Sequence, residues 1–301
     1  MPVVVAVILA GLGAGVLTAR RRRDATRLAE RVLSLTLWVI LPIVTFFNFA
    51  RFEPSAEIGV GIAFAYVGMA SALGIAYLVA RRLDLAGHTR GAFMCAAFVS
   101  NTGFLGLPFT AALLGFDALP AAITYDQLVS APWLLIVAFS IGAAYRHEHP
   151  SSEGGLRAFL TRNPALYALV AGLLVPDALA PDWTVDVANG LVVAMAPLGF
   201  FALGVFATAD GERFRFPPPL TRAVVAVSAI KLGVPVAVMA ACAALIHDVP
   251  NAFLVQAAMP TGLNSLLLVS AYRLDREMIA GAIVYTTALV LAWGLVVSVL
   301  G

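Results

Sequence analysis

"FVSNTGFLGLPFTAALLG", residues 98–115, lies inside a long apolar stretch and yet carries Ser100, Asn101, Thr102, Gly103, Gly106 and Pro108 in its middle. A helix that only anchors a chain gains nothing from such a run. Proline and glycine interrupt backbone hydrogen bonding, and lipid cannot satisfy the amides and hydroxyls that are left over.

The surroundings are membrane-like throughout. The chain is 61% hydrophobic and only 12% charged, with a mean hydropathy of +0.93 over 301 residues. Soluble domains average about 25% charged residues. These values describe an integral membrane protein with no sizeable soluble domain. The net charge of +2 is too small to point to nucleic acid. Cys95 and Cys242 both fall in apolar segments, so they read as small core packers and not as a disulfide framework.

A hydrocarbon core of about 30 Å takes about 20 apolar residues per helix. Ten segments meet that description: 2–19, 28–50, 58–80, 91–115, 118–144, 164–181, 183–209, 221–246, 250–272 and 275–301. The first has its basic cluster, "RRRRD", after the apolar run instead of before it, so it reads as a span and not as a secretory leader. The expected fold is therefore an all-α integral membrane protein of ten transmembrane helices. "FPPPL" reads as a rigid turn into the eighth segment, because proline is tolerated in a helix's first turn but cannot continue a helix.

Basic residues set the orientation. The loops after the first, third, fifth, seventh and ninth segments hold seventeen of the nineteen Lys and Arg residues. Only Arg51 lies in an opposite-side loop, and only Lys231 lies deep within a span, since Arg31, Arg222 and Arg276 stand at segment ends. Those five loops should face the cytoplasm, with both termini outside. The sixth span then starts on the inside, so residues 1–144 and 164–301 form two five-helix repeats of opposite orientation, joined by a short cytoplasmic loop, 145–163. At an offset of 160, "AITYDQLVSAPWLLIV" (122–137) lies over "AIVYTTALVLAWGLVV" (282–297), sharing Tyr125/Tyr285 and Trp133/Trp293 among others. Inverted repeats are characteristic of secondary transporters.

The opening stretch has a counterpart in "NAFLVQAAMPTGLNSLLLVSAY" (251–272), with Gln256, Pro260, Thr261, Gly262, Asn264 and Ser265 at mid-depth. These fourth and ninth segments occupy equivalent places in the two repeats. Interrupted spans at matched positions point to a transporter's binding site. Each break exposes a half-helix N-terminus, whose partial positive charge favours anions. The expected substrate site comprises Asn101, Thr102, Gly103, Pro108, Gln256, Pro260, Thr261, Gly262 and Asn264. The asparagines would supply amides, the glycines would let backbone approach a ligand, and the prolines would keep the breaks open. The plainer reading of either span alone is a proline kink with small residues for tight helix packing.

Lys231 is the only lysine in the chain, nine residues beyond Arg222 and so about 13 Å deep. A mid-membrane charge is a functional hypothesis by default, able to hold an anion or exchange a proton. Asp126 lies about 12 Å in from the outer side, which puts it about 5 Å from the level of Lys231. The two are expected to pair, either as a coupling element or as a purely structural ion pair. Asp186 reads as interfacial. His88, His147, His149 and His247 fall in predicted loops without metal-ligand spacing. No metal or cofactor is expected, and with no nucleophile elbow or phosphate-binding loop no enzymatic activity is expected either.

These residues together resemble the auxin efflux carrier family, which includes plant auxin carriers and bacterial permeases proposed for malate and malonate. The resemblance rests on "SNTGFLGLPF", "AAMPTGLNSLLLVSAY", "LPIVTFF", "NPALYALVAGLL" and "KLGVPVAV". It implies two inverted five-helix repeats whose broken fourth and ninth helices cross at Pro108 and Pro260. It also implies a scaffold of spans 1, 2, 6 and 7 and a transport unit of spans 3–5 and 8–10 that moves elevator-fashion. The implied location is a bacterial inner membrane. The short central loop argues against auxin itself and for a small organic anion. The expected partners are that anion, the lipid bilayer and, as an open option, a second copy of the chain. A sodium-coupled organic anion symporter of the bile acid type remains an alternative, with Asn101, Thr102, Gln256, Thr261 and Asn264 as oxygen ligands but no carboxylate evident among them. An ion channel is a third reading.

Overall fold

Long apolar runs form helices because, in lipid, only an internally bonded backbone leaves no polar group stranded. A computed structural model describes residues 2–52, 55–145, 164–176, 179–209 and 217–300. Among these residues the chain is all-helical, with no strand beyond one isolated bridge. The α-helices are α1 (Pro2–Arg21), α2 (Ala25–Leu35), α3 (Leu41–Phe49), α4 (Ala56–Arg82), α5 (Gly87–Phe98), α6 (Leu107–Leu114), α7 (Leu119–Tyr125), α8 (Phe139–Ala144), α9 (Pro164–Leu174), α10 (Asp182–Ala209), α11 (Arg222–Leu245), α12 (Asn251–Ala257), α13 (Ser265–Tyr272) and α14 (Arg276–Leu300). Wider π-helical turns join α2 to α3 (Thr36–Ile40), lead into α6 (Thr102–Gly106), and lie between α7 and α8 (Asp126–Ser130 and Trp133–Ala138).

Among the described residues seven helical runs are long and apolar enough to cross a membrane: Pro2–Arg21, Ala25–Phe49, Ala56–Arg82, Phe116–Ala144, Asp182–Phe206, Arg222–Leu245 and Arg276–Val297. Thr102–Leu114 and Pro164–Leu174 are apolar but shorter. Among the described residues of the expected sixth span, 164–181, the α-helix ends at Leu174, with Pro176 and Pro181 following its end. The central loop and its His147 and His149 lie outside the described residues. His88 is not in a loop but in the first turn of α5. Asp186 is exposed in α10, as an interfacial residue would be.

Helix ends follow local chemistry. Ser55 caps α4 by accepting from the Ile58 amide at 3.4 Å, and Thr221 caps α11 by accepting from the Val224 amide at 3.2 Å. Gly115, at φ 85°, ends α6 in a conformation that only glycine adopts without strain.

Packing sorts the helices into two groups. In one, α1, α2 and α3 pack on α10, and α9 packs on α3. In the other, α4, α5 and α11 pack on one another and α14 packs on α5 and α11, with α8, α12 and α13 against them. The largest buried cluster lies mostly within the second group, where it includes Phe93, Phe98, Phe253 and Tyr272, and it extends to Tyr125 on α7. The first group is held by small residues. A side chain at Gly11 or Gly15 would collide with the backbone carbonyls of Pro197 and Phe201, and one at Gly204 with that of Leu12. The α1 and α10 backbones therefore touch directly, the close approach that small residues allow in lipid. The groups meet where α10 passes α6 and the Thr102–Gly106 turn, with Phe104 seated over Gly199.

Candidate functional site

The two interrupted helices meet back to back. Between α5 and the Thr102 turn, and between α12 and α13, the chain is extended for a few residues. There Ser100 and Thr261 form an antiparallel bridge. The Asn101 amide donates to the Pro260 carbonyl at 2.8 Å, and the Gly262 amide donates to the Val99 carbonyl at 2.9 Å. Each break thus satisfies the other's backbone, which is the condition for irregular chain at membrane depth. A Cβ at Gly262 would lie 2.7 Å from the Ser100 carbonyl oxygen, so glycine is required there for the approach.

Each crossing segment is also tied to the helix that follows it. Thr102 Oγ1 donates to Asp126 Oδ1 in the next span. In the other half the Thr261 amide donates to Thr286 Oγ1 at 3.0 Å. Asp126 and Thr286 are 160 residues apart and Thr102 and Thr261 are 159 apart, close to the offset that aligns the two sequence halves. Thr261 Oγ1 further donates to the Ala96 carbonyl at 3.0 Å.

All the expected site residues except Pro108 and Lys231 are tied to this crossing by a contact or by their position in the chain. Asn101, Thr102, Gln256 and Thr261 are each at most 3% exposed. Gln256 reaches from α12 to donate to Thr110 Oγ1 on α6 at 3.3 Å, and its Oε1 presses so close to Gly106 that a Cβ there would collide with it. Gly103 faces the Asp126 carboxylate. Asn264 stands at the start of α13 without capping it through its side chain. Pro260 is in the crossing itself. Pro108 is not: it lies past the π turn, inside the continuous helical run Thr102–Leu114. The expected crossing point at Pro108 therefore moves to Ser100–Asn101.

The expected Lys231–Asp126 ion pair is not formed. Both Asp126 oxygens accept from neutral donors, Thr102 Oγ1 and Gln127 Nε2, the latter at 2.7 Å. Ion pairs form instead at Arg22–Asp24 and Arg51–Asp182, both near helix ends. Lys231 is fully buried in α11 and its Nζ has no hydrogen-bond partner.

Several buried polar atoms besides Lys231 Nζ are unpartnered: Asn101 Nδ2, Gln127 Oε1, Ser130 Oγ, Gln256 Oε1, Ser265 Oγ and Thr287 Oγ1. A folded protein leaves few such atoms without a ligand, ion or water to take them up. Ser130, Ser265 and Thr287 were not among the sequence-derived candidates. The repeat alignment could have found Thr287, which stands at the place of Gln127 at the same offset of 160.

Compared with known proteins, the chain matches no family model and no curated protein.

Proposed function

We propose that this protein is a multi-pass secondary carrier of small organic anions, built as two inverted five-helix repeats and working by alternating access. One observation carries the reading: two interrupted helices at corresponding places in the chain cross back to back, with unpartnered Asn101, Gln256 and Ser265 side-chain atoms buried on the crossing segments. The matched Thr102–Asp126 and Thr261–Thr286 links support the repeat, and with it ten spans and both termini outside. The division into two helix groups supports a scaffold of spans 1, 2, 6 and 7 against a transport unit of spans 3–5 and 8–10. The resemblance to the auxin efflux carrier family and a bacterial inner-membrane location are part of the same proposal.

The two breaks differ in charge. The half-helix beginning at Thr102 already has the Asp126 carboxylate at its N-terminus. The half-helix α13 begins with Asn264 and Ser265, and no acidic side chain caps it. An anionic substrate is placed there, where helix-end amides and the free Ser265 hydroxyl favour negative charge. Lys231 would supply the balancing cation.

The test is counterflow in proteoliposomes loaded with small mono- and dicarboxylates. Saturable uptake accelerated by internal substrate is expected for at least one of them, and its loss in Asn101→Ala. Flux that neither saturates nor shows counterflow would replace the carrier with a channel.

A further inference from the structure

Asp126 is the only buried carboxylate among the described residues. It lies in the π turn Asp126–Ser130, held by Thr102 Oγ1 and Gln127 Nε2. The elements packed on this turn are α4, the Thr102–Gly106 turn, α7 and the Trp133–Ala138 turn. They bring no cation to it: the charged residues of α4, Glu57, Arg81 and Arg82, stand in its first and last turns. Of the tyrosines, Tyr66 donates to the Leu128 carbonyl at 2.9 Å, Tyr125 meets the Phe253 ring, and Tyr77 lies under Arg81. An ionised carboxylate buried this way lacks the counter-charge that burial demands.

Two further oxygens on the same turn also lack partners. Gln127 Oε1 belongs to the amide that already touches Asp126, in a residue 2% exposed. Ser130 Oγ lies four residues on, about one helical turn along the same span, in a residue 8% exposed. A proton on Asp126 would satisfy one of these acceptors at most. A small cation takes oxygens from all of them at once. Turning the Gln127 amide over puts Oε1 where Nε2 now meets the carboxylate, and the two orientations are not distinguishable from heavy atoms. Rotating the Thr102 hydroxyl presents its oxygen as well. The set is then carboxylate, carboxamide and two hydroxyls: hard ligands with a single negative charge, which suits a monovalent ion. Among the described residues no cluster of three His, Cys, Asp or Glu exists to hold a transition metal.

We propose that Asp126, Thr102, Gln127 and Ser130 form a sodium site. Thr102 opens the second half of the interrupted fourth span, and its neighbour Asn101 is bonded to Pro260, so an ion bound here fixes the crossing that the anion uses. The coupling of sodium to anion movement rests on the carrier reading. The binding of sodium does not.

The experiment is the thermal stability of the purified full chain in NaCl, KCl and choline chloride at equal ionic strength and pH. A saturable rise in Tm with sodium alone is expected, since a ligand that binds only the native state stabilises it by mass action. Asp126→Asn, which keeps the side chain's shape, should abolish the rise. Ser130→Ala should raise the half-saturating sodium concentration at least tenfold. An equal rise in all three salts, a response to pH alone, or a sodium rise that survives Asp126→Asn would overturn the site. A sodium response without saturable anion flux would keep the site and remove the carrier. Saturable flux without a sodium response would do the reverse.

Discussion

The Asn101 amide and the Pro260 carbonyl, 159 residues apart in the chain, share a 2.8 Å hydrogen bond where two interrupted helices cross. Neither partner could be satisfied within its own helix. Proline leaves its carbonyl free but disrupts the turn around it, and Asn101 stands outside the helical region between α5 and the turn beginning at Thr102. The bond makes each break the structural complement of the other.

The tightness of that crossing can be measured. Gly262→Ala places a methyl 2.7 Å from the Ser100 carbonyl and should destabilise the protein by about 1–3 kcal/mol through overpacking. Gly103→Ala places one 3.6 Å from Asp126 Oδ1, an ordinary contact, and should melt close to the unaltered protein. Equal melting temperatures for the two variants in detergent would contradict this geometry.

Asn101 and Asn264 should matter to ligand more than to folding. Asn101 Nδ2 has no partner, and the Asn264 side chain does not cap α13. Their alanine variants are expected to keep folded yield, while substrate affinity falls by about 1–3 kcal/mol, the cost of a lost hydrogen bond with one partner stranded. Normal transport by both would reduce the breaks to packing features.

Lys231→Met tests the buried amine directly. It removes a polar group that makes no hydrogen bond in a fully buried position. Thermal stability should hold or rise, because an apolar side chain of similar length replaces an unsatisfied one. Anion uptake should fall at least tenfold. A variant that melts lower and transports normally would make Lys231 a structural residue.

Orientation is open to labelling. In a Cys95→Ala/Cys242→Ala background, Asp117→Cys and Asp248→Cys should react with an impermeant thiol reagent applied outside, and Leu83→Cys should be protected. All three positions are exposed in the fold. The opposite pattern would invert the topology derived from the arginine distribution.

Most helix positions are legible from hydropathy, because the bilayer sets one length and one polarity for every span. Residues 58–80, 221–246 and 275–301 correspond closely to Ala56–Arg82, Arg222–Leu245 and Arg276–Leu300. The place of the fourth break was less legible. Proline is the conspicuous breaker, but the helical run Thr102–Leu114 continues through Pro108, and the interruption lies at Val99–Asn101. Counting residues along a helix measures how deep a side chain sits and not the direction it points around the helix axis. For that reason Asp126 and Lys231 could be set at similar depth and expected to pair, when Asp126 turns instead to Thr102. Contacts between helices depend on rotation and tilt, which no spacing rule encodes.

The glycine seam between α1 and α10 has a consequence for biosynthesis. α1 ends at Arg21, whereas the helix it must touch ends at Ala209. At about 5–20 residues per second the ribosome needs roughly 10–40 s to supply that partner. Throughout this interval Gly11 and Gly15 face lipid or other early helices, with a groove that nothing yet fills. A bulky residue at Gly15 would be harmless while α1 inserts and damaging only when α10 arrives. Its defect should therefore appear as inserted but protease-sensitive chains, and not as a failure of membrane targeting.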